Sequence, residues 1–161
     1  MPSPAYMQIQ GEKQGKIDGS CDIKGREGTI LIQAVESLVN IPKSPQTGMP
    51  TGKRVHNPYT VVAELDKATP KIYQMLCNGE RVKSMQVDYY RISPAGNEEK
   101  YFSIKLENAI VVSAHHYVPN CLDQDNSTMG HMIEYSFTYE KVTWTWVKDG
   151  IEGEDNWKVP S

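Results

Sequence analysis

The strongest constraint in this chain is an apolar period of two. In Tyr101-Phe-Ser-Ile-Lys-Leu-Glu107, the apolar Phe102, Ile104 and Leu106 alternate with Tyr101, Ser103, Lys105 and Glu107. Ile133, Tyr135, Phe137 and Tyr139 alternate with Glu134, Ser136 and Thr138, and Met85, Val87 and Tyr89 alternate with Gln86 and Asp88. Successive side chains of a strand point to opposite faces, so each pattern turns one face to a core and one to water, as in antiparallel sheets. Residues 5–10, 29–35, 59–65 and 109–114 are further strand candidates. After Tyr139 the apolar residues change parity, to Val142, Trp144 and Trp146. A one-residue slip exchanges the faces of a strand, which predicts a bulge near Glu140 and Lys141.

One segment reads as a helix. Thr69 is placed to cap it and Pro70 fits the first helical position. Ile72, Met75 and Leu76 share a face, and Gly79 supplies a left-handed stop. Many short strands with a single helix predict a mainly β fold: a compact antiparallel β-barrel of two sheets with one α-helix and a long extended loop. At 161 residues the chain reads as one domain, 1–161, long enough to bury a core without disulfides or a structural metal. The long loop, residues 42–58, holds four prolines and two glycines and has no periodicity. Loops of this length inside compact domains are functional or disordered. Residues 118–129 form a second, polar connection.

Composition narrows the partners. A net charge of −3 gives no basic footprint for nucleic acid. The first thirty residues contain no long apolar stretch, which predicts neither a Sec-type signal peptide nor a membrane span. Cys21, Cys77 and Cys121 are odd in number and widely spaced, matching neither a disulfide framework nor a C-x-x-C pair. The chain reads as one made in a reducing cytoplasm.

The candidate chemistry is thin. Gly48-Met-Pro-Thr-Gly52-Lys-Arg54 lacks one residue between its glycines, and the Ser or Thr after Lys53, that a phosphate-binding loop requires. His115, His116, Cys121 and His131 are zinc-type residues. Adjacent strand histidines point to opposite faces, however, and the spacings fit no standard finger. Asp123-Gln-Asp-Asn-Ser127 lacks the glycine and closing glutamate of a calcium loop and reads as a solvated turn. Asn126-Ser-Thr128 is formally a glycosylation sequon, irrelevant outside a secretory lumen. Cys121 with His116 or His131 has nothing nearby to activate the thiol. The expectation is no enzyme, no cofactor and no metal.

The motifs point elsewhere. Met1-Pro-Ser-Pro-Ala-Tyr-Met-Gln-Ile-Gln-Gly11 resembles the opening of the haemolysin co-regulated protein (Hcp) family. Gln46-Thr-Gly-Met-Pro-Thr-Gly-Lys-Arg-Val-His-Asn-Pro58 resembles that family's Gly-x-x-x-Gly-x-Arg-x-His-x-Pro signature, and Leu65-Asp-Lys-Ala-Thr-Pro-Lys71 its strand-to-helix corner. Gly153-Glu-Asp-Asn-Trp157 resembles its closing Gly-x-Asp-Asp-Trp motif, with Asn156 replacing an Asp. The resemblance implies a barrel assembled six to a ring, with rings stacked into the inner tube of a type VI secretion machine. It also implies spike and sheath partners, export without a signal peptide to the extracellular space or a target cell, and small effectors carried in the lumen. Members that act as toxins do so through an added C-terminal domain; with Ser161 right after the closing motif, none is expected here.

Size supports assembly on its own terms. A domain of this length is a sphere about 40 Å across. A barrel that small is filled by its own side chains and is no conduit. Six such spheres in a ring enclose a hole of roughly 40 Å, wide enough for a small folded protein. The long loop is then the element expected to reach a neighbouring subunit. Gly48, Gly52, Arg54, His56 and Pro58 are the candidate ring-interface residues; the alternative for Arg54 and His56 is that they tie the loop to its own barrel. Gln33 and Glu36 are the candidate lumen or cargo contacts. The competing expectation is a small-ligand-binding barrel with no secretion role, which requires an interior lined with placed polar groups.

Overall fold

The alternating segments form a wall that closes on itself. The computed structural model describes residues 4–156. In chain order the elements are β1 (Ala5–Gly11), β2 (Gly15–Ile17), β3 (Ile30–Glu36), β4 (Val39–Asn40), β5 (Val55–His56), β6 (Tyr59–Glu64), α1 (Thr69–Asn78), β7 (Arg81–Ile92), β8 (Glu98–Tyr117), β9 (Met132–Thr138), β10 (Lys141–Trp146) and β11 (Ile151–Asn156). The sheet runs β8–β7–β1–β3–β6–β9, and β9 pairs back onto β8, every pairing antiparallel. Closure removes the open edges at which sheets aggregate. β10 continues beside the other half of β8 and carries β11 outward as a flap, while β2 folds back on β1. A second, two-stranded sheet of β4 and β5 lies within the long loop.

The inward positions are those the alternation selected. Met7, Tyr59, Val61, Met85, Leu106, Tyr135 and Phe137 are fully buried in one cluster. Large apolar and aromatic side chains fill the interior, the outcome expected for so small a barrel. Even its polar atoms are matched: the hydroxyls of Tyr59 and Tyr89 share a 2.7 Å bond, and Tyr135 donates to Thr69 Oγ1 at 3.1 Å.

The parity change is present, and its cause lies partly on the neighbouring strand. Residues 101–107 and 109–114, two separate strands by sequence, are one strand, β8, passing through Asn108 at φ 52°. Its inward residues change from Ile104 and Leu106 to Ala109 and Val111 across that point. On the adjoining flank they change from Phe137 and Tyr139 to Val142. The expected bulge near Glu140 is therefore a break between β9 and β10, placed opposite a left-handed residue in β8. Asn108 donates to the Glu140 carboxylate and accepts from Arg81 at 3.2 Å, which holds both strands at the corner.

The helix differs from expectation at its start. Thr69 is its first helical residue rather than its cap, and Ala68, just before it, offers no side-chain bond. Asp66 does the capping, accepting from the Ala68 amide at 3.0 Å, while Thr69 Oγ1 accepts from the Asp66 amide at 3.1 Å. Gly79, at φ 66°, ends the helix as expected. Ile72 and Met75 press into the barrel core.

Asn108 yields a test of the corner. Asn108→Val puts a β-branched residue into left-handed backbone and should cost about 1–3 kcal/mol in urea denaturation. Asn108→Gly keeps the backbone at ease and should cost clearly less. Equal losses would show that the side-chain bonds, and not the backbone, hold this corner.

Candidate assembly site

Residues 42–58 show no periodicity in sequence because they fold as a narrow arm, with few side chains against the barrel. Val39 pairs with His56 and Asn40 with Val55, and a bridge joins Lys43 to Pro50. The tip closes on itself through Ser44 N–H to Met49 O at 2.9 Å and Gly48 N–H to Ser44 O at 2.8 Å. Gly48 sits at φ 72°, which a side chain would resist. Leu38, Val39, Ile41, Met49 and Val55 are 39–65% exposed, a concentration of apolar surface on one projecting element. No acidic residue occurs from Ser37 to Ala63, while Lys43, Lys53 and Arg54 all lie on the arm.

The root of the arm is fixed by a polar latch. Arg54 Nε donates to Asp155 Oδ2 at 2.6 Å, and an Arg54 terminal nitrogen donates to the Asn156 carbonyl at 3.1 Å. The same Asp155 oxygen lies 2.7 Å from His56 Nε2. In the neutral ring Asp155 thus accepts from Nε2–H, which leaves Nδ1 to accept from the Tyr139 hydroxyl, also at 2.7 Å. His56 is buried and meets the Tyr139 ring edge-on. The Arg54 hydrogen bond, joined by that of His56, holds the Asp155 carboxyl below its ordinary value of 3.8 against a partial desolvation that opposes it. Burial pushes Tyr139 up to about 12, so it stays a neutral hydroxyl.

The expected site residues therefore divide. Gly48 and Gly52 lie on the exposed length of the arm, and Pro58 is exposed where the arm enters β6. Arg54 and His56 form bonds within the chain, to Asp155, Asn156 and Tyr139. Gln33 and Glu36 lie on β3, three residues apart, and plain alternation would send them to opposite faces. A register shift between Ile32 and Ala34 lets both face outward. Sequence reasoning missed Asp155 and Tyr139. The available signal was two motifs of opposite charge, one holding Arg54 and His56 and the other Asp155. Trp157, in that second motif, lies outside the described residues.

Among the described residues, no three His, Cys, Asp or Glu side chains gather as a metal site requires. His116 Nδ1 bonds the Met132 carbonyl at 2.8 Å, His115 stacks on Tyr117, and Cys21, Cys77 and Cys121 are free thiols. Asp123 accepts from the Asp125 amide at 2.9 Å, as a solvated turn does.

The latch can be tested directly. Asp155→Ala should lower stability by about 1–2 kcal/mol, the scale of charged hydrogen bonds discounted for partial exposure. It should also speed amide exchange at Val55 and His56. The contribution of a carboxylate with a depressed pKa is complete above its unfolded value and fades as pH falls through the folded one. Wild-type protection at these amides should therefore hold at neutral pH and decline in acid below about pH 4, while the Asp155→Ala chain shows no such step. Unchanged stability and exchange would mean that the arm root is held by something else.

Residues 6–146 match the family model described as type VI secretion system effector, Hcp. The chain is 39% identical to the major exported protein of Pseudomonas aeruginosa, across 99% of this chain and 98% of that one. A crystal structure of an Hcp protein overlies it with a TM-score of 0.91 at 31% identity, covering 99% of this chain and 100% of the other. Hcp1 from the E. coli EAEC 042 pathovar gives 0.86 at 33% identity over 97% and 99% of the two chains. The secreted protein Hcp3 from Pseudomonas aeruginosa gives 0.80 at 32% identity, over 98% and 100%. Match over nearly the whole length, in both sequence and fold, places this chain in the Hcp family of the type VI secretion system.

Proposed function

We propose that this chain is a structural subunit of the type VI inner tube, built as six-membered rings that stack, leave the cell with the tube, and enclose small effectors. The observation that carries this reading is the arm: an exposed, apolar, acid-free element whose root is locked and whose length contacts little of its own barrel. Such a surface calls for another protein to cover it. A contact from the arm of one copy to the body of the next is heterologous, and heterologous contacts close into rings or run on as filaments. The filled interior supports the same reading against a ligand-binding barrel, since Tyr59, Tyr135 and Phe137 occupy the space a ligand needs. The cavity that carries cargo then comes from assembly, with the outward face of β3, including Gln33 and Glu36, as its candidate wall. The named P. aeruginosa relative is an exported protein, which supports export here.

Native mass spectrometry should show a species at six times the 18.2 kDa chain mass. Replacing residues 41–52 by a short Gly/Ser linker keeps the Arg54 and His56 latch. Shortening a surface loop costs little, since closure entropy grows only with the logarithm of length. The variant should keep its strand circular dichroism and lose the assembled species. A wild-type chain that is monomeric at micromolar concentration, or a hexamer that survives arm replacement, would overturn the proposal.

A further inference from the structure

The arm has a complement elsewhere on the chain. A groove of about 290 Å³ opens where the connection of residues 18–29 faces the corner between β6 and α1. Asp22 and Ile23 line one side, Glu64, Leu65 and Asp66 the other, and Leu31 is among the residues between them. Three carboxylates and no basic side chain are among the lining residues. Ile23, Leu31 and Leu65 are 40–44% exposed there. The groove thus pairs apolar surface with negative charge, where the arm pairs apolar surface with positive charge. Asp66 accepts from the Ala68 and Ser20 amides, and Glu64 accepts from the side-chain amide of Gln33, another lining residue, at 3.0 Å. Asp22 and Glu64 are both exposed and carry the groove's charge toward a partner.

Position decides whose arm fits. The arm leaves from the end of β3 and returns at the start of β6, which pair antiparallel. The groove lies at the other end of the same pair, beside Leu31 and Glu64. Six residues of β6 separate the two, about 20 Å of extended chain. With its root latched to Asp155 at the far end, the arm supplies none of the residues that line the groove of its own chain.

We propose that this groove receives the arm of a second copy, with Lys43 and Lys53 facing Asp22 and Glu64 and the arm's apolar side chains covering Ile23, Leu31 and Leu65. A donor and a receptor at opposite ends of one strand pair define a head-to-tail contact that repeats from copy to copy. Opposite potentials on the two surfaces set its register and speed its encounter. Each contact is small, and the multiple contacts of an assembly multiply it. The inference rests on the reading of the arm as the assembly element and names its receptor.

Paired charge reversal tests it. The arm variant is Lys43→Glu with Lys53→Glu, and the groove variant is Asp22→Lys with Glu64→Lys. All four residues are exposed, and circular dichroism should confirm that both chains fold. In sedimentation velocity at low salt, each variant alone should lose the assembled mass of the wild type. An equimolar mixture should recover it, because the Glu-bearing arm meets the Lys-bearing groove and the native arm meets the native groove. A structural lesion would give no such recovery. A groove variant that assembles like the wild type, or a mixture that stays dissociated, overturns the inference. If arm replacement abolishes assembly while the groove variant assembles normally, only the groove assignment falls. If the wild type does not assemble at all, the tube reading falls with it.

Discussion

Closure of the sheet on β8 is the constraint from which the rest of this molecule follows. β8 is twenty residues long and pairs with β7 on one side and with β9 and then β10 on the other. One half of it shuts the barrel, while the other supports a flap that leaves it. A straight strand cannot do both, because its inward residues would emerge on the wrong face of the flap. The left-handed turn at Asn108 resets the parity, and the break at Tyr139–Glu140 resets it on the neighbouring strand. The flap then brings Asp155 to the root of the arm. A backbone angle in the middle of the chain thereby helps to fix where an arm root more than fifty residues away is held.

A closed barrel filled by side chains leaves function to the outside. Its interior is committed to Tyr59, Tyr135, Phe137 and their neighbours, and its hydroxyls satisfy one another. Closure also leaves few open edges for recruiting partners by adding strands. The remaining way to make specific contacts is to carry surface away from the wall, which is what the arm does. Its prolines limit the states the free arm can explore, so less freedom is lost on docking.

The sequence made the barrel legible because burial on one face of a strand writes itself as alternation. Phe102, Ile104 and Leu106, and Ile133, Tyr135 and Phe137, required nothing but counting. It hid β2, β4, β5 and β11, which are short or exposed on both faces and so have no apolar face to declare. Capping was misplaced by three residues because Thr and Asp both suit a helix start. Tertiary context decided it: Thr69 is buried under Tyr135, and Asp66 is left to take the amides. Part of the arm was visible as a proline-rich stretch matching a family signature. Its latch was not, since Arg54 and Asp155 are 101 positions apart and neither has a period to betray it.

The latch also accounts for an arm that carries its hydrogen-bonded polar groups at the root and its apolar surface along the length. A projecting arm free at both root and tip would pay twice on docking, once to orient and once to order. Fixing Val55 and His56 through Arg54, Asp155 and Tyr139 settles the direction before any partner arrives. Arg54 suits this role better than Lys would, because its planar guanidinium reaches a carboxylate and a backbone carbonyl at once. With that cation neutralised by Asp155, Lys43 and Lys53 are the arm's charges toward a partner, and both are exposed. The division makes root and surface separable. On the proposed reading, damage at Asp155 would misdirect an arm that keeps its binding surface, whereas damage at the lysines would leave it well directed with less to bind by.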